Sequence, residues 1–195
     1  MAFRKYSHSG VEFWDGQHRF EHWYRDNTIY FITSRVRDGF NAFPSDRAKE
    51  IFFDRFDYYT KKYEFVSWIE TLMINHYHFL GYLKHGENLG PLMQHLHGSV
   101  AKLVNDTLPT RHLPFWRTRG NKDYFDGCLR DPLQCRRAFR YTKLQAVRAG
   151  IVRDHRTYPH TRIHVDCERG IARALELKAF LQEVPYHRYD RRAAR

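Results

Sequence analysis

The chain has 195 residues, enough for one domain with a buried core and a terminal extension. Its 33 Lys and Arg against 22 Asp and Glu leave a net charge of +11, and 16% of its residues are aromatic. That balance favours a nucleic-acid partner, because cations meet phosphates and rings stack on unpaired bases. No run reaches 18 apolar residues and no apolar stretch follows Met1-Ala2-Phe3-Arg4-Lys5, so a membrane-spanning helix and a leader peptide are not expected.

Residues 1–27 are polar and aromatic without a clear period and read as an arm leading into the domain. Residues 28–36 form an apolar run that predicts a central strand, closed by a turn at Asp38-Gly39. Pro44-Ser45 starts a helix with Ser45 as N-cap, running to Lys62 with Ala48, Ile51, Phe52, Phe56 and Tyr59 as its buried stripe. Residues 64–72 and 75–83 alternate as two strands joined by a short break, which fits an antiparallel hairpin. Residues 86–91 are a loop, and Pro91 at the first helical position opens a second helix. Leu92, Leu96, Val100, Leu103 and Val104 make its apolar face, with His95, Lys102 and Asn105 opposite.

Residues 107–122 are loop-like and basic (Arg111, His112, Arg117, Arg119, Lys122), interleaved with Phe115 and Trp116. A short strand at 124–129 follows, then a third helix over 131–149 with Asp131 as N-cap, Pro132 at N1 and Gly150 as its C-terminal cap. Beyond it lie a turn at Tyr158-Pro159, a helix over 168–181 and an Arg-rich tail. Cys128, Cys135 and Cys167 form no CxxC pair and read as reduced thiols. The order strand, helix, strand, strand, helix, strand predicts an α+β fold of the ferredoxin-like, split βαβ kind. It is an antiparallel sheet with two helices on one face and room on the other for the third helix or for nucleic acid. The expected organisation is an arm at 1–27, a core domain at 28–150 and an extension at 151–195.

The chemistry centres on Asn75-His76-Tyr77-His78-Phe79. In a strand, residues two apart share a face, so His76 and His78 stand side by side while Tyr77 and Phe79 point away. Two neutral imidazoles on one rigid surface can bind a divalent metal and leave positions open for water or a phosphate oxygen. Composition alone yields roughly one His-x-His pair in such a chain. A second, His95-Leu96-His97, lies on a helix, where residues two apart diverge by about 200°; it reads as surface decoration. On the third helix Tyr141 and Gln145 are four apart and share a face, so a hydroxyl nucleophile and an amide oxygen could reach the same metal.

A His-hydrophobic-His strand in this element order, followed by Tyr141-Thr142-Lys143-Leu144-Gln145-Ala146-Val147-Arg148-Ala149-Gly150, resembles the HUH single-strand DNA endonucleases. Within them it is similar to the REP-associated tyrosine transposases, relatives of the single-tyrosine transposases of bacterial insertion sequences. The likeness spans about residues 28–150. Ile74 stands where the family's usual Pro is, and Gln145-Ala146 where Asn-Pro is usual. Gln is the metal-binding residue of the insertion-sequence relatives, and Ala146 makes the helix more regular.

The resemblance implies that Tyr141 is the nucleophile and that His76, His78 and Gln145 hold Mg²⁺ or Mn²⁺. It also implies cutting and rejoining of single-stranded DNA at hairpin-associated repeats through a 5′-phosphotyrosine intermediate, by a monomer or a homodimer. Arg117, Arg119, Lys122, Lys143, Arg148 and Trp116 are the candidates for contacting single-stranded or hairpin DNA. The expected location is cytoplasmic, with the nucleoid, and no membrane partner is expected. A second reading of the same fold is a domesticated, catalytically inactive module that binds hairpin DNA. Replication initiators and relaxases match less well, and the His-Glu-x-x-His of metalloproteases is absent.

Overall fold

The computed structural model describes residues 5–8, 11–14, 24–118 and 123–180, the first two segments and residues 178–180 by backbone alone. In chain order the strands are β1 (Lys5–His8), β2 (Val11–Trp14), β3 (Thr28–Arg35), β4 (Phe65–Leu72), β5 (His76–Leu83), β6 (Phe125–Leu129) and β7 (Thr161–Ile163). The helices are α1 (Asp46–Lys62), α2 (Leu89–Asn105), α3 (Pro132–Lys143), α4 (Gln145–Arg148) and α5 (Cys167–Phe180). β1 and β2 pair antiparallel with each other. The stretch read as an aperiodic arm therefore holds a two-stranded ladder, too short for alternation to register.

The main sheet has five strands in the order β6-β3-β5-β4-β7, each antiparallel to its neighbours. Its first four strands give the split βαβ arrangement expected from the element order. β7 adds a fifth strand at the β4 edge. β5, which carries His76 and His78, lies in the middle, flanked by β3 and β4.

Strand alternation splits the core in two. Tyr30, Ile32, Phe65, Tyr77, Phe79 and Leu83 face α1 and α2, where Phe52, Phe56, Leu92, Leu96 and Val100 fill the layer. Trp68, Ile69, Leu80 and Tyr82 face the other way, against Cys135 and Phe139 of α3 and Cys167 and Ile171 of α5. Each fully buried side chain of this size contributes about 1.5–3 kcal/mol, so both layers hold the sheet. α5 crosses Trp68 at Gly170, where a Cβ would lie 2.8 Å from the indole ring.

The caps follow the sequence closely. The Ser45 hydroxyl accepts from the Ala48 amide and the Asp131 carboxylate from the Gln134 amide. Gly150, at φ +69°, closes α4 with Gly150 N–H donating to Val147 O and Ile151 N–H to Ala146 O. This is the paired geometry that a left-handed residue allows.

Two boundaries differ from expectation. Pro91 is the third residue of α2, not the first; its missing N–H is harmless there because first-turn amides have no partner within the helix. The single helix expected over 131–149 is interrupted at Leu144, which leaves helical geometry at φ −96°, ψ 10°. No Pro or Gly announces this break.

Candidate active site

On β5, His76 and His78 stand on the α3 face, their rings in edge contact with centroids 5.2 Å apart. Beneath them Tyr77 is fully buried on the opposite face and hydrogen-bonds to His97. His97 in turn bonds to the Asp123 carboxylate at 2.6 Å and stacks on Trp116 at 4.3 Å. The Trp116 indole donates to the His97 carbonyl at 3.0 Å. His97 is 2% exposed and Trp116 5%. Neither is on the surface: the supposed decoration is a buried link in an Asp–His–Tyr chain, and the supposed DNA-stacking tryptophan is core. Asn105, expected on the open face of α2, is buried as well, donating to Ala101 O and accepting from the His112 amide.

α3 brings Tyr141 over the histidines. Its ring meets His78 edge-on at 5.2 Å and Phe31 at 6.0 Å, and Phe31 itself stacks on His78 at 5.8 Å. Tyr141 keeps 38% of its surface exposed. Thr71, directly across the ladder from His78, donates its hydroxyl to the Thr142 carbonyl at 2.9 Å. The helix is thereby pinned to the sheet one residue past the tyrosine. Where the helix breaks, the Gln145 amide nitrogen donates to the Tyr141 carbonyl at 3.2 Å. The Gln145 amide oxygen is the atom this side chain can offer a cation.

Burial first, and then the charge of Arg35, push His76 down to about 4, with the nearby Gln145 side chain partly offsetting them. Burial, then His76, then Arg35, push His78 down to about 3. Both imidazoles are neutral at physiological pH, the form a metal needs. His76 Nδ1 bonds to the Asn75 side-chain oxygen at 2.8 Å, which fixes the ring as a second-layer partner does in metal sites. His78 Nδ1 is buried and has no hydrogen-bond partner, an orphan that a bound cation would satisfy. Among the described residues no cluster of three or more His, Cys, Asp or Glu side chains could hold a metal. The available donors are two imidazoles and one amide, a neutral set that suits a loosely held divalent ion.

The predicted DNA contacts divide. Arg148 lies over the Tyr141 ring at 5.1 Å. Lys143 lies 6.0 Å over the Phe139 ring, about 200° around the helix from Tyr141. Arg117 is exposed, and its amide donates to the Arg35 carbonyl at the end of β3. Arg119 and Lys122 fall outside the described residues.

Two contributors escaped the sequence. Thr71 and Arg35 are set against the histidines only by strand register, Thr71 opposite His78 and Arg35 opposite His76. No local pattern reports that register.

No protein-family model matches the chain, and no curated protein matches it. Solved structures do. One is a REP-associated tyrosine transposase bound to a REP hairpin, similar at a TM-score of 0.63 and 15% identity, covering 79% of this chain and 87% of that one. At that identity the likeness establishes the fold. No helix among the described residues is long and apolar enough to cross a membrane.

Proposed function

We propose that the protein is a metal-dependent single-stranded DNA endonuclease and strand transferase of the HUH tyrosine type, acting at hairpin-associated repeats. The observation that carries the reading is the approach of a partly exposed tyrosine, Tyr141, to His78, which has an orphaned buried nitrogen and is in edge contact with a second neutral imidazole, His76. The shared fold with a hairpin-bound transposase supports it, as does the net charge of +11.

His76, His78 and the Gln145 amide oxygen would hold Mg²⁺ or Mn²⁺, which when bound supplies positive charge to polarise the scissile phosphate. Tyr141 attacks phosphorus: the phenolic oxygen forms a new P–O bond and the bond to the 3′-oxygen breaks. The phenolic proton leaves to solvent, and the released oxygen takes up a proton to become a 3′-hydroxyl. The product is a 5′-phosphotyrosyl link that conserves the energy of the broken ester, so a second strand's 3′-hydroxyl can reverse the step without ATP. The Thr71–Thr142 bond ties the helix to the sheet next to Tyr141, and Arg148 lies over its ring.

The test is cleavage of labelled hairpin DNA, with single-stranded tails, taken from repeats near the gene. Nicking in Mg²⁺ or Mn²⁺ that stops with EDTA, and is lost in Tyr141→Phe and His76→Ala, is the expected result. Tight hairpin binding without nicking in any metal would leave a DNA-binding module only.

A further inference from the structure

Among the described residues, the site carries no negative charge. Among the described residues no carboxylate acts on His76 or His78, and the full charge that does is Arg35. Arg35 ends β3 directly opposite His76, and residues so paired have Cβ atoms about 4.5–5.5 Å apart. Alternation places it on the same face as Phe31, which stacks on His78. Its side chain is exposed, and among the described residues no carboxylate pairs with it. Some other cations of the fold are neutralised locally: Arg37 pairs with Asp38 at 3.3 Å, and Arg162 with Asp57 and Glu70.

A guanidinium carried across the ladder from His76 repels a dication held by three neutral donors. A phosphodiester between them reverses the sign, since its oxygens attract both the guanidinium and the metal. We propose that Arg35 is the phosphate-binding group of the site and that it makes divalent-metal binding and DNA-phosphate binding mutually dependent. The inference rests on the metal-site reading given under the proposed function. Linkage makes the dependence reciprocal: DNA raises the affinity for metal by the factor by which metal raises the affinity for DNA.

The experiment is a Mn²⁺ titration of the full chain, followed by the electron paramagnetic resonance signal of free Mn²⁺. The Tyr141→Phe background keeps the DNA uncut. The probes are a twelve-residue oligothymidylate at saturation and an uncharged methylphosphonate of equal length, with protein-free DNA titrations subtracted. The oligothymidylate is expected to raise Mn²⁺ affinity about 10- to 100-fold, within the usual range of coupling between sites; the methylphosphonate should leave it unchanged. Arg35→Gln should bind Mn²⁺ more tightly than its parent without DNA and show coupling below about 3-fold. Arg35→Lys, which keeps the charge, should restore coupling. Equal Mn²⁺ affinity with and without oligothymidylate, or undiminished coupling in Arg35→Gln, would overturn the proposal while leaving a metal site in place. No Mn²⁺ binding in any sample would overturn the metal-site reading itself.

Discussion

Acid should destabilise this protein through His78, and the size of the effect follows from its surroundings. His78 is 5% exposed, and burial, His76 and Arg35 hold it down at about 3 from an ordinary value of 6.5. The unfolded chain takes up a proton at this residue near pH 6.5, whereas the folded chain does not until about pH 3. Between those limits the unfolded state binds more protons, so the stability contribution is complete above pH 6.5 and falls away as pH drops toward 3. At pH 5.0 the loss spans about one and a half pH units at about 1.36 kcal/mol each, or about 2 kcal/mol. The assay is urea unfolding by tryptophan fluorescence at pH 7.5 and 5.0, in EDTA, for the native chain and His78→Gln. The native chain should lose about 2 kcal/mol more than the variant over that interval. Parallel losses would show that His78 accepts a proton in the folded state without penalty, and would refute the reasoning.

Three further outcomes follow from buried polar contacts. His97→Leu removes a partner of both Tyr77 and Asp123 and should cost about 3 kcal/mol in urea melts; a double-mutant cycle with Tyr77→Phe should show clear non-additivity. Glu70 is 1% exposed and accepts from Ser67, Arg162 and His164. Glu70→Ala should therefore cost about 3–5 kcal/mol, and amide exchange should show β7 loosening first. Thr71→Val deletes the bond to Thr142 and should cost about 1–2 kcal/mol, while lowering strand-cleavage turnover more than it lowers hairpin affinity.

Much of the fold was legible because its elements are long and strongly periodic. The strands at β3, β4 and β5, the stripe on α1 and the caps at Ser45, Asp131 and Gly150 each follow from a local rule. The His76–His78 pair was legible for the same reason: it lies within one strand, where spacing fixes the face, whereas Tyr141 and Gln145 fall on either side of the break at Leu144. What failed depended on distant partners. His97 and Asn105 look like surface residues on a helical wheel, and only Tyr77, Asp123 and His112 make their burial affordable. Trp116 sits in a basic, loop-like stretch, yet Val36 pairs with it and His97 stacks on it. Arg35 and Thr71 join the site through register between strands far apart in sequence. The break at Leu144 has no breaker residue; it coincides with the Gln145 side chain turning back to the Tyr141 carbonyl.

Under the proposed function, Tyr141 becomes covalently joined to DNA. The most direct test is mass spectrometry of the full-length protein after incubation with tailed hairpin DNA and Mn²⁺, followed by nuclease and protease digestion. The account predicts a phosphonucleotide on the peptide carrying Tyr141, joined through its 5′-phosphate and absent when EDTA replaces Mn²⁺. An adduct on another tyrosine, or nicked DNA with no protein adduct, would contradict it.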